Sequence, residues 1–189
     1  MNKIFKVFVV LFFVFISCIC SVNAENIYFA NNKYELNLSD TYVNKGVVTN
    51  DYYLNGEYKD HWSNLISISY YPEVNSPIKF SNDFDKRIEA NDKCVLLKFV
   101  QNKKQNIAVI SYLENVEQNG KFFFVYNIYK YEKHPDKGMM ALRYAKKYEF
   151  MTNEEIKHIA SEVKEINNDY MEQIIIAPIP PIVDKSVQN

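Results

Sequence analysis

The three histidines and the carboxylates near them are the obvious place to look for chemistry in this chain. His158 has Glu154 four residues before it and Glu162 four after it, so on a helix all three share one face. That face would serve for ion pairing. A zinc site needs three or four ligands, and the missing ones would have to come from elsewhere, so surface pairing is the expectation. His134 sits in the polar turn Tyr131-Glu132-Lys133-His134-Pro135-Asp136-Lys137-Gly138, where solvation is expected. His61 lies between Asp60 and Trp62, the chain's only tryptophan. An acid beside a histidine is a possible acid–base pair, yet neighbours on an extended chain point to opposite faces. Asp60, His61 and Trp62 are therefore kept as candidate binding residues around an aromatic anchor. No serine stands in a Gly-x-Ser-x-Gly setting, and four glycines leave little material for a phosphate loop. No catalytic residue, metal ligand set or cofactor is assigned.

The remaining chemical signal is aromatic. In the run Lys121 to Tyr131, KFFFVYNIYKY, residues Phe122, Phe124, Tyr126 and Ile128 fall on one face of a strand, and Phe123, Val125, Tyr129 and Tyr131 on the other. If one helix layer covers the first face, the second is either packed or open. Open, it makes Tyr129 and Tyr131 candidates for a binding surface; packed, it makes this the central strand.

The N-terminus carries the clearest address. Lys3 and Lys6 precede the apolar run Val7 to Ile16, and Val22-Asn23-Ala24 offers a small-residue exit before Glu25. That sequence of zones is a secretory signal, residues 1–24. A spanning helix needs roughly 20 apolar residues, which this centre reaches only if Ile4 to Val22 is counted whole. An uncleaved anchor and a lipid on Cys18 are the alternatives. Cleavage removes Cys18 and Cys20, leaving Cys94 alone at the head of Cys94-Val95-Leu96-Leu97, where a core thiol is expected. An unpaired thiol in an oxidising compartment also admits an intermolecular bridge.

Removing 24 residues from 189 leaves 165, the size of one domain. Without Lys3 and Lys6 the 22 basic residues become 20 against 23 acidic, a net charge of about −3. No clustered basic face points to nucleic acid. The expected partner is a protein or an envelope component, met by a monomer or weak oligomer with nothing left in the membrane after cleavage.

Periodicity supplies the elements that must position these residues. Residues 34–38 alternate, 47–54 read as extended, and Asn55-Gly56 marks a turn. Leu65 to Tyr71 is a strand with Ile66, Ile68 and Tyr70 on its apolar face, stopped by Pro72. Ser81-Asn82-Asp83 predicts the start of a short helix near 83–90. Strands follow at 94–100, 107–113, 121–131 and 140–150, with 101–106 and 114–120 as hairpin loops. Thr152-Asn153-Glu154-Glu155 is a capping box, and Ile156, Ile159, Ala160, Val163, Ile166 and Tyr170 form the stripe of a helix over 153–172. Ile174-Ile175-Ile176 and the prolines after them are expected to run extended. The fold class is α+β: a two-layer, mainly antiparallel sheet of about 5–7 strands under a long C-terminal helix. The domain spans 25–177, and 178–189 form a Pro-containing tail.

In the order of these elements the chain resembles the Mog1/PsbP-like α+β domains. Tyr34 to Leu38, Trp62 leading into Leu65 to Tyr71, and the hairpins from Cys94 to Tyr131 carry the likeness. It implies a small accessory or binding protein and transfers no functional residue. The functional expectation is an exported, non-enzymatic binding or accessory protein of a bacterial cell envelope. A secreted interaction factor, or an enzyme with a site near Asp60 and His61, are the alternatives.

Overall fold

The computed structural model describes residues 25–37, 42–44 and 46–183. Residues 1–24, expected to be a secretory signal and holding Cys18 and Cys20, and residues 184–189 lie outside them. Among the described residues, nine strands form one antiparallel sheet. They are β1 (Asn26–Phe29), β2 (Asn32–Leu36), β3 (Tyr42–Asn44), β4 (Val47–Leu54), β5 (Asn64–Tyr71), β6 (Cys94–Asn102), β7 (Ile107–Gln118), β8 (Lys121–Lys133) and β9 (Met139–Phe150). The spatial order is β1-β2-β4-β5-β9-β8-β7-β6, with β3 also paired to β4. Two helices, α1 (Pro77–Glu89) and α2 (Asn153–Ile176), pack on it. The α+β class, the antiparallel sheet and the C-terminal helix are as the sequence indicates; the sheet is wider than expected.

Local chemistry explains where the boundaries moved. Asn119 and Gly120 both hold positive φ, 55° and 73°, the condition for a two-residue hairpin turn. Residues 114–118, expected as loop, therefore continue β7 in register with β8 as far as Gln118 opposite Lys121. The same device, Ala30 (φ 48°) and Asn31 (φ 61°), turns β1 into β2. Helix α1 starts at Pro77, ahead of the expected 83, because Ser76 caps it and proline is preset for the first helical position. The Ser76 hydroxyl accepts the Lys79 N–H at 3.2 Å.

The capping box of α2 forms as read: Thr152 Oγ1 accepts the Glu155 N–H, and Glu155 accepts the Thr152 N–H. Ile174 to Ile176, expected to be extended, are the last turn of this helix. Pro178 forbids helical backbone only to the residue before it, so the chain turns extended at Ala177 (φ −62°, ψ 129°) and no earlier. Residues 178–183 then lie on the sheet. Pro180 is buried, Asn50 exchanges two hydrogen bonds with Val183, and the Lys130 ammonium donates to the Ala177 carbonyl at 2.7 Å.

Each face of the sheet has its own core. Under α2, Ile66, Ile68, Tyr126, Ile128, Leu142 and Tyr144 meet Ile159, Val163, Met171 and Ile174. On the opposite face, α1 lays Ile88 and Phe84 over Ala108, Ile110, Tyr131 and Ala141. The expected two layers thus become three where α1 lies. No helix among the described residues is long and apolar enough to cross a membrane.

The core under α2 is rich in tyrosine. Tyr34, Tyr52, Tyr126 and Tyr144 are almost wholly buried. Burial pushes Tyr52 up to about 12 and the other three higher still. An unfolded tyrosine ionises near 10, so this stability is fully present below about pH 10 and is lost as pH rises further. Each buried phenol should remove roughly 1.4 kcal/mol per pH unit in that range. Phenolate absorbance from these residues is expected to appear together with loss of the native circular dichroism above pH 10. Ionisation of all fifteen tyrosines near pH 10 with the fold intact would contradict this burial.

Candidate functional site

Strand β6 is one edge of the described sheet, and its sequence breaks the alternation expected of it. The pairing with β7 runs Leu96 opposite Tyr112, then Lys98 opposite Ser111, so Leu97 is an inserted bulge residue. Before the bulge, Cys94 and Leu96 point toward α1; after it, Phe99 does, and Gln101 bonds to Ser81 and Asn82 of that helix. The shift leaves Leu97 and Lys98, adjacent in sequence, both on the α2 side. Leu97 joins the core there, and Lys98 Nζ donates to Asn168 Oδ1 of α2 at 2.7 Å.

Helix α2 lies mainly across β7, β8 and β9 and stops short of covering β6. What remains is a groove of 620 Å³ between the helix and the edge strand. Val95, Leu97, Leu113 and Phe124 form its sheet side, Ile159 and Val163 its helix side. Val95 is 58% exposed, a large apolar side chain facing the opening. Lys93, Lys98 and Lys164 stand at the rim. Among the described residues none of the three is within ion-pair distance of a carboxylate. Asn167, buried beneath them, accepts the Tyr126 hydroxyl at 2.9 Å.

An apolar slot with ammonium groups at its mouth binds by burial along its length and by charge at its end. The edge itself is ill suited to accept another strand, because a bulge and exposed lysines are the usual guards against pairing. Cys94, one residue from Val95, faces the α1 core. Burial raises its pKa, and Glu114 and Asp92 raise it further, so it stays a thiol.

The sequence candidates lie elsewhere. Tyr131, considered for an exposed surface, is 1% exposed and sits between Tyr129 and Phe80, with ring centroids 5.6 and 5.2 Å away. The packed alternative is the one realised for that residue. Tyr129 is half-buried and lines a separate polar cavity. Trp62 packs with Tyr53, Leu65, Val125 and Ala145 on the face opposite the groove. The Lys147 ammonium lies 4.2 Å from the Trp62 ring centroid, its pKa lowered by burial against the pull of Glu57 and Asp60. Asp60 and His61 are exposed and exchange no hydrogen bond; the His61 ring lies tilted against Tyr58, centroids 4.9 Å apart. His158 is exposed on α2, while Glu162 is bound by Lys146 at 2.7 Å and Tyr148 at 2.9 Å. Among the described residues no three His, Cys, Asp or Glu side chains form a metal-holding group.

Sequence reasoning did not find the groove. Its one trace is Lys98 interrupting an apolar run, where strict alternation would have sent it away from Leu97.

A protein-family model matches residues 22–179, which take in all nine strands and both helices. No curated protein and no solved structure matches the chain.

His61→Ala should change stability by less than about 0.5 kcal/mol, since the side chain is exposed, whereas Trp62→Ala should cost about 2–3 kcal/mol through lost packing. Urea unfolding of both variants checks this. A large loss from His61→Ala would mean the loop is held by more than Trp62.

Proposed function

We propose, for a chain that belongs to the family matched over residues 22–179, that it is an exported, non-enzymatic binding protein of the cell envelope. Its ligand is an elongated apolar molecule with an anionic end, seated in the groove between α2 and β6. The observation that carries this reading is the pairing of an apolar slot with three ammonium groups that have no carboxylate partner among the described residues. The volume lies within the range of small-molecule sites. A tail of ten buried methylenes would gain roughly 8 kcal/mol before ordering costs, enough for useful affinity. Export is supported by the basic, apolar and small-residue zones of residues 1–24, most of which precede the matched residues. The resemblance to Mog1/PsbP-like domains, small accessory and binding proteins, points the same way.

Displacement of an environment-sensitive fluorescent fatty acid tests the binding reading. Dodecanoate is expected to displace it, and dodecyltrimethylammonium, with the same tail and the opposite charge, should be at least tenfold weaker. Leu97→Asp should abolish displacement. Equal binding of both amphiphiles would remove the role of the lysines, and binding of neither would end the proposal. Export is tested by sequencing the mature protein's N-terminus after cell fractionation, where Glu25 is the expected first residue. A chain that keeps Met1, or that starts at a lipidated Cys18, would replace the free exported form with an anchored one.

A further inference from the structure

The face opposite the groove carries a feature that the binding reading leaves unused. That face is apolar under α1 and apolar again around Trp62, and between the two clusters runs a polar band. The register sets Asp51, Ser67, Arg143 and Tyr129 side by side on β4, β5, β9 and β8, with Thr49 and Ser69 one step along. Thr49, Asp51, Ser67 and Asn127 are all buried. Polar groups placed there lower the stability of a core unless each is satisfied, so a purely structural role would be filled better by apolar side chains. The band floors a cavity of 330 Å³ where α1, which lies over β6, β7, β8 and the Ala141 end of β9, does not reach β4 and β5.

Arg143 is held in an unusual way. Its Nε and Nη2 both donate to Asn127 Oδ1, at 3.0 and 2.8 Å, and the Asn127 amide is itself fixed on the Val125 carbonyl at 3.0 Å. The Tyr129 ring lies 5.6 Å from the guanidinium carbon. A neutral amide thus orients the cation without neutralising it. Among the described residues no carboxylate is within ion-pair distance of Arg143. Asp51 takes the Ser67 hydroxyl and, like Glu114, acts on Arg143 only at longer range. Burial opposes the charge, and Tyr129, Tyr112, Asp51 and Glu114 together outweigh it. Of the five guanidinium N–H groups, three have no acceptor among the described residues. The Thr49 and Ser69 hydroxyls, bonded to each other at 2.8 Å, line the same cavity.

We propose that this cleft is a second binding site, for a small carboxylate-bearing molecule whose carboxylate sits on the Arg143 fork and whose polar remainder meets Thr49 and Ser69. A planar carboxylate matches two guanidinium N–H groups at once, which a single ammonium does not reproduce. The cavity volume, at the lower end for ligand sites, fits a compact molecule and excludes a long tail. The site is independent of the groove and stands or falls without it.

The chain has two arginines, Arg87 and Arg143, so its guanidinium Nε–H spectrum holds two signals. Arg87 lies on α1, with its Nε on the Asp83 carbonyl, and serves as the internal control. Titration of the full chain with succinate at fixed ionic strength should move the Arg143 signal saturably and leave Arg87 in place. Asn127→Asp puts a carboxylate against the guanidinium and gives up the amide bond to the Val125 carbonyl; it should weaken succinate at least tenfold in protein that still unfolds cooperatively. Arg143→Lys, which keeps the charge and loses the fork, should weaken it by a similar factor. An unmoved Arg143 signal, parallel movement of Arg87, or wild-type succinate affinity in Asn127→Asp would each overturn the proposal. So would a response to inorganic phosphate but none to succinate.

Discussion

The pairing of β5 with β9 is the contact on which the rest of the molecule depends. Eight registered pairs, from Asn64 opposite Lys146 to Tyr71 opposite Met139, join the N-terminal ladder to the β6–β9 meander. On the α2 side, Asn50, Ile68, Leu142 and Lys130 form a row across this seam, and the two polar ends of the row hold the segment after α2 through Val183 and Ala177. On the α1 side the next row holds Asp51, Ser67, Arg143 and Tyr129. A slip of one residue at the seam would exchange these rows between faces and put Arg143 into the tyrosine core.

Geometry then dictates where cavities form. Strands lie about 4.8 Å apart, so a path of eight strands is roughly 35 Å wide, while a helix with its side chains covers about 10 Å. One helix on each face cannot roof such a sheet. Helix α2 sits toward β7–β9 and leaves β6 open; α1 sits over β6–β8 and the Ala141 end of β9 and does not reach β4 and β5. The two cavities occupy those two uncovered stretches, one apolar because its strand face is apolar, the other polar because the seam brings hydroxyls and Arg143 together.

Much of the scaffold was legible in the sequence for reasons that are local. The alternation in Leu65 to Tyr71 and in Met140 to Phe150 reports one buried face, and the stripe and capping box of α2 need no knowledge of the partner sheet. The Asn119-Gly120 turn is equally local, and taking 114–120 as a loop leaves out five of the eleven β7–β8 pairs. The sites were not legible because both arise from non-local events. A bulge at Leu97 sets Lys98 on the α2 side beside Leu97, and its place in the apolar run CVLLKFV is the one local sign of the extra residue. Arg143 reads as an ordinary polar position on a half-exposed strand until Asn127 and Tyr129 are placed beside it. The histidines and Asp60 drew attention through chemical type alone, and type does not report exposure.

The β5–β9 seam also sets the order of folding. Because its partners lie far apart in sequence, the ladder β1–β5 cannot close its inner edge until the chain through residue 146 is available. Contacts of such high separation slow folding, since loop closure must precede the gain from pairing. During that interval β5, paired to β4 on one side only, presents Ile66, Ile68 and Tyr70 beside an open edge, the kind of segment that invites aggregation. For a chain proposed to cross a membrane before it folds, the same delay has a use: the topology that makes β5 hazardous keeps the N-terminal half threadable until its last strand has passed.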